Sequence, residues 1–139
     1  FPLRQHSQMS EEQITARVAE VLSWIELEGI EKKMPSELSG GMQKRVGLAR
    51  AIVLEPEVVV YDEPTTGLDP LTSDTISELI RRLQRERQVT SIVVTHDVRC
   101  AFLVADRIAM LDEGRILVEG TLDEIRNSPQ PKLRAFLYG

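Results

Sequence analysis

A chain of 139 residues, 42% apolar and 28% charged, can bury one core and little more, so one domain or part of one is expected. A net charge of -5 argues against non-specific attraction to nucleic acid or anionic lipid. No apolar stretch nears the roughly 20 residues that span a bilayer, no signal peptide opens the chain, and the only cysteine, Cys100, cannot close an internal disulfide, which fits a reducing cytoplasm.

Ser10 followed by Glu11, Glu12 and Gln13 is a capping box, and Ile14, Val18, Val21, Leu22 and Ile25 recur at helical spacing, predicting an amphipathic helix that runs until Gly29 stops it. His6 reads as an exposed loop residue. Lys32 to Glu37 form a proline-containing connector. Ser39 can then cap a helix whose first turn is Gly-Gly-Met and whose apolar face is Val46, Ala49, Ile52 and Val53. Lys44, Arg45 and Arg50 are spaced like a helix face; Lys44 is expected in a solvated stripe, and Arg50 paired with acids at the edge of the core. Val58 to Tyr61 is a continuous apolar run between Pro56 and Asp62, the pattern of a strand buried on both faces of a parallel sheet.

Pro70 begins a helix to about Arg87, Thr90 to Thr95 is a second buried strand, and Val98 to Val104 a short helix that takes Cys100 as a packing residue. Arg107 to Asp112 and Arg115 to Glu119 flank Glu113-Gly114 and predict a hairpin. Thr121 with Glu124 caps a further helix, and Lys132 to Tyr138 form the last one. This alternation predicts an α/β core in three layers, with no internal repeat and no low-complexity segment.

Three segments carry chemistry. Ser39-Gly40-Gly41 at a helix start joins orphan N-H groups, a hydroxyl and glycines that let a backbone approach an anion. By itself such a triplet is also an ordinary turn and cap. Asp62-Glu63 follows a buried strand, and the C-terminal ends of parallel strands are where ligands bind in open α/β sheets; the bland reading is a pair of solvated acids. His96 ends the second strand, within reach of the first. Together they point to nucleotide hydrolysis, one acid serving a magnesium ion and the other a water.

The order and wording of these segments resemble, over essentially the whole chain, the second half of an ATP-binding-cassette (ABC) ATPase: signature Leu38 to Met42, Walker B Val58 to Asp62 with Glu63 following, D-loop Gly67-Leu68-Asp69 and switch His96. The resemblance implies part of a three-layer P-loop NTPase core with part of the helical signature subdomain, residues 1–55 being the helical portion and 56–139 the RecA-like portion. No segment fits Gly-x-x-x-x-Gly-Lys-Ser/Thr, so the Walker A half is absent. With its start at Phe1-Pro2-Leu3, the chain is expected to be a piece of a longer protein, inactive alone. The strand leading into the Walker A loop lies, in the family, between the strand ending at Thr95 and that from Arg107, so a gap is expected there.

The resemblance further implies ATP and Mg2+ as cofactors. Asp62 would hold the metal, Glu63 orient or deprotonate the attacking water, and His96 stabilise transition-state charge. Ser39, Gly40 and Gly41 would close on the γ-phosphate held by a second ATPase subunit, and Asp69 would lie at that interface of a head-to-tail homodimer. Met42 replaces the glutamine most common there, which touches a polar contact near the nucleotide sugar. The runs Leu38 to Ile52 and Tyr61 to Pro70, with Phe1 to His6, are similar to the bacterial phospholipid-trafficking (toluene-tolerance, lipid-asymmetry) ATPases. These work at the cytoplasmic face of the inner membrane with a transmembrane permease and Mce-type proteins, and without nucleic acid. Two other readings stand beside this one: a non-transport ABC ATPase, and a module that binds no nucleotide by itself.

Overall fold

The computed structural model describes residues 1–139. It begins with a helix the periodicity did not announce, α1 (Pro2–His6), started by proline at its first turn and closed by Ser7, whose hydroxyl and N-H both donate to the Leu3 carbonyl. His6 is exposed, as expected, but ends this helix instead of lying in a loop. The predicted capping box opens α2 (Glu11–Trp24): Gln13 N donates to Ser10 Oγ at 3.2 Å and Ser10 N to Gln13 Oε1 at 2.8 Å.

The helix stops at Trp24, five residues before the expected Gly29. Glu26 takes the left-handed turn (φ 56°), its N-H donating to Ser23 O and that of Leu27 to Leu22 O. Leu22 and Leu27, the positions that flank this C-terminal motif, are both buried, and the motif forms here without glycine at the turn. A single 3₁₀ turn at Pro35–Glu37 leads to α3 (Gly40–Ile52), capped by Ser39 as predicted, Met42 N donating to its Oγ at 3.3 Å. Ala49, Ile52 and Val53 are buried, with Leu48 beside them.

Strand β1 (Val58–Asp62) pairs in parallel with β2 (Thr90–Val94), in register from Val58 opposite Thr90 to Asp62 opposite Val94. The connection between them is α4 (Pro70–Arg87), which buries Ile76, Leu79, Ile80 and Leu83, a spacing that places all four on one helical face. After β2 come α5 (Val98–Val104) and the antiparallel hairpin of β3 (Arg107–Asp112) and β4 (Arg115–Thr121). Glu113 and Gly114 both have positive φ, 48° and 76°, the backbone a two-residue hairpin loop requires. Thr121 and Glu124 form the predicted capping box of α6 (Leu122–Asn127), and α7 (Pro131–Tyr138) ends the chain.

Two strand expectations are corrected. β1 alternates: Val59 and Tyr61 are buried while Val58 and Val60 are 50% and 62% exposed, and in β2 Ile92 and Val94 are 52% and 54% exposed. The continuous apolar runs encode burial on both faces, but helices cover only one of them. The β1–β2 pair and the β3–β4 pair are separate sheets, with no hydrogen bonds joining β2 to β3. That is the place where the resemblance implied a gap. Nineteen buried residues from α1 through Val104 form one apolar cluster that includes Cys100, 1% exposed in α5.

Candidate functional site

Parallel pairing decides the site. Because β1 and β2 end side by side, the residues just beyond them meet: Glu63 N donates to Val94 O at 2.9 Å, continuing the ladder one step past Asp62. Glu63 then leaves the strand at φ 48°, immediately before Pro64. Its carboxylate turns toward the end of β2, where Oε1 accepts from His96 N at 3.2 Å and lies 2.8 Å from His96 Nδ1. The other oxygen, Oε2, accepts from Thr66 Oγ1 at 2.8 Å. The Glu63 carbonyl accepts from Lys44 Nζ of α3 at 3.1 Å. Lys44 is thus half-buried and engaged, and the expected solvated stripe does not hold at that position. Arg50 is exposed without an acid partner, so its expected pairing at the core edge is absent too.

The electrostatics follow from this contact. The His96 imidazole, and then Thr66, hold the Glu63 carboxyl below the usual carboxylate range. The same hydrogen bond and the negative charge of Glu63 raise His96 above the ordinary histidine value. Both partners report one arrangement, an ionised carboxylate beside an imidazole that favours its charged form. With His96 73% and Glu63 34% exposed at the side chain, the pair is open to water.

Asp62, one residue earlier, is exposed, and its carboxylate makes no hydrogen bond or ion pair within the chain. It lines a groove of about 490 Å³ together with Gly40 and Lys44 of α3 and with Thr66 and Gly67. Gly40 and Asp62 therefore share one groove. Gly41 turns elsewhere: it is buried, and a Cβ there would stand 2.7 Å from Thr72 Cγ2, so this glycine serves the close packing of α3 on α4. A Cβ on Gly40 would meet only Leu68 Cδ2 at 3.7 Å, leaving that position open. Asp69 caps α4, accepting from Thr72 N at 3.0 Å and from the Thr72 hydroxyl, which keeps its carboxyl below the ordinary range.

Residues that pattern reading passed over complete the setting. Thr65, 4% exposed, donates through Oγ1 to Asp97 Oδ2 at 3.1 Å. Asp97 in turn caps α5 by accepting from the N-H groups of Arg99 and Cys100. The Asp97 N-H donates to Thr95 Oγ1 at 3.0 Å, so the peptide carrying His96 is fixed on both sides. The signal was present in Thr95-His96-Asp97 followed by a helical run, since an aspartate there is a helix cap.

No group of three or more His, Cys, Asp or Glu side chains is placed to hold a metal ion. The donor set still suits magnesium, which takes one or two carboxylates and otherwise keeps waters and substrate phosphates. Asp62 is the free carboxylate, and both oxygens of Glu63 are engaged.

A parallel β-α-β unit with acids at one strand end, a histidine at the next and a serine-capped glycine helix alongside defines a fragment of a P-loop NTPase. The chain is similar to the ATP-binding domain of ABC transporters. Residues 1–66 match the ABC transporter family. Over all 139 residues the chain is 42% identical to the probable ribonucleotide transport ATP-binding protein mkl of Mycobacterium leprae, of which it covers 40%. It is 40% identical to the intermembrane phospholipid transport system ATP-binding protein MlaF of Escherichia coli K12, of which it covers 52%. Among solved structures, 88% of the chain superposes on 53% of the dimeric ATP-binding cassette MJ0796 bound to ADP and Pi, with 37% identity and a TM-score of 0.75. The chain thus spans about half the length of the curated relatives it matches.

Proposed function

We propose that this chain supplies the metal-binding, water-orienting and signature half of the ATP site in an ABC transporter ATPase. The observation that carries the reading is the Glu63–His96 pair at the adjoining ends of β1 and β2, one residue from a free Asp62 carboxylate. Asp62 would hold magnesium, whose charge offsets that of the phosphates. Glu63 would orient the attacking water. A carboxylate held below its usual range is a weak proton acceptor, so orientation rather than deprotonation fits its surroundings. His96, favouring its charged form, would face developing negative charge on the phosphoryl group.

Ser39, Gly40 and Gly41 would complete the site of a second copy: the exposed N-terminus of α3 presents its N-H groups to an anion, with Gly41 holding the helix against α4 and Asp69 at the junction. The dimeric, ADP- and Pi-bound state of MJ0796 supports this arrangement as a homodimer using ATP. Residues 1–55 would be the helical portion and 56–139 the core portion, packed through one shared apolar cluster. No helix is long and apolar enough to cross a membrane, which suits an ATPase seated peripherally under a transmembrane permease at the cytoplasmic face of the inner membrane. The cargo is proposed to be phospholipid, delivered with an Mce-type protein. The name of MlaF favours this cargo; that of mkl, a probable ribonucleotide transport ATP-binding protein, points to a competing one.

The test is Glu63→Gln in the full-length ATPase. Hydrolysis should fall roughly 10²- to 10⁴-fold while ATP binding persists. Near-normal turnover in that variant would remove Glu63 from the mechanism.

A further inference from the structure

We propose that Lys44 is a positioning residue that fixes Glu63 through its backbone carbonyl, tying the Ser39-capped helix to the water-orienting carboxylate of the same chain. The proposal rests on the functional reading above and extends it to a residue outside the motif.

Four observations converge. Glu63 sits at φ 48°, a region sparsely populated by non-glycine residues, and such a conformation persists only where its surroundings over-determine it. Its ties come from three directions: Val94 O on β2 holds its N-H, Thr66 and His96 hold its carboxylate, and Lys44 Nζ holds its carbonyl at 3.1 Å. Only the last reaches Glu63 from the glycine helix. Next, Lys44 forms no ion pair, although 22 acidic residues are available in the chain, and its one hydrogen bond is to this carbonyl.

An ammonium half-withdrawn from water with a carbonyl as its only protein partner makes a charge-assisted bond, stronger than a neutral one and costly to leave unmade. Of the three basic residues on α3, Arg45 and Arg50 make no side-chain hydrogen bond, so the contact is particular to Lys44 rather than a property of a basic face. Last, Lys44 and Gly40 line the same groove as Asp62. Lys44 lies five residues after Ser39, so a shift of the helix when its N-terminus meets an anion is carried within two turns to the Glu63 peptide. Through that bond, whether the signature is engaged bears on where the Glu63 carboxylate points.

The experiment uses the full-length ATPase with Lys44→Met, which keeps length and loses the donor, and Lys44→Arg, which keeps a charged donor. Steady-state hydrolysis of Mg-ATP should show kcat about tenfold lower in the methionine variant with KM for ATP within about twofold, as expected when orientation and not binding is lost. The arginine variant should recover most of kcat. The second readout does not depend on turnover: the ring 15N signature of His96, whose Nδ1 rests on Glu63, should change in Lys44→Met and return in Lys44→Arg.

If methionine at 44 does not fold, Lys44→Gln, too short to reach the carbonyl, takes its place. Unchanged kcat and an unchanged His96 signature would overturn the proposal. So would equal losses in both variants, which would mark a packing role. Glu63→Gln run in parallel separates the two ideas: if it hydrolyses ATP normally, the functional reading fails, and the His96 signature still decides whether Lys44 positions Glu63.

Discussion

The chain up to Val104 and the chain from Arg107 onward are built differently. The first contributes all nineteen residues of the apolar cluster and every residue of the candidate site. The second, the hairpin with α6 and α7, buries only Ile125 and Leu133 among its large apolar side chains and leaves Leu111 and Ile116 at 71% and 57% exposed. At the junction Arg81 pairs with Asp106 and Gln84 Nε2 donates to Asp106 Oδ2, while Arg126 of the second region lies over the Phe102 ring of the first. Here the site is placed on the part with a core, where packing fixes strand ends to the tolerance that orientation demands. The hairpin region relies on local devices, a two-residue turn and a capping box.

That contrast can be broken in order of expected effect. Ile80→Ala, at 1% exposure in the middle of the cluster, should cost about 3–5 kcal/mol by chemical denaturation. Ile125→Ala, equally buried, should instead lower amide protection chiefly within residues 107–139 and leave β1 and β2 protected. Equal loss of protection in both regions would mean that they fold as one cooperative unit.

A smaller effect is expected at the glycine pair. Gly41→Ala places a methyl 2.7 Å from Thr72 Cγ2 and should cost about 1–3 kcal/mol. Gly40→Ala, with only a 3.7 Å contact, should leave stability within about 0.5 kcal/mol while weakening closure on an anion. Thermal melts of the two variants compare the roles directly, and matching destabilisation would show that both glycines are there for packing.

Val58, Val60, Ile92 and Val94 form an apolar face of the kind that drives association. The 139-residue chain should therefore self-associate by light scattering, and Val60→Lys with Ile92→Lys should shift it toward monomer. An equally associated double variant would point to Leu111 and Ile116 on the hairpin as the adhesive surface.

The smallest effect is the pH dependence of the Glu63–His96 pair. Glu63 is lowered in the folded chain, so its contribution is present above the unfolded carboxylate value and lost as pH falls through the folded one. His96 is raised, so its contribution is complete below the ordinary histidine value and lost as pH rises through the folded one. The pair should be intact across the weakly acidic to neutral window and dissolve on either side. NMR titration of both side chains checks this, and independent titration at ordinary values would show that the contact does not persist in solution.

Much of the architecture was legible because it is written locally. The Ser10, Ser39 and Thr121 caps, the Glu113-Gly114 turn and the apolar run of each strand depend on residues a few positions apart. Two of the misses share one cause. The exposure of Val60 and Ile92 was decided by what lies on the sheet, and the partner of Lys44 by how α3 crosses the end of β1. Each is a contact between segments, to which periodicity is blind.

The sequence by itself therefore determined the element order from α2 onward, the three motif segments and the strand ends that carry Asp62, Glu63 and His96, because hydrophobic period and capping chemistry are short-range. Only the tertiary structure decided which atoms meet: that Glu63 takes a left-handed backbone and divides its oxygens between His96 and Thr66, that Gly41 packs while Gly40 stays open, and that Lys44 reaches back to the Glu63 carbonyl. Those outcomes depend on the relative placement of α3, β1 and β2, which is set by how their apolar faces share one core rather than by any residue's own preference.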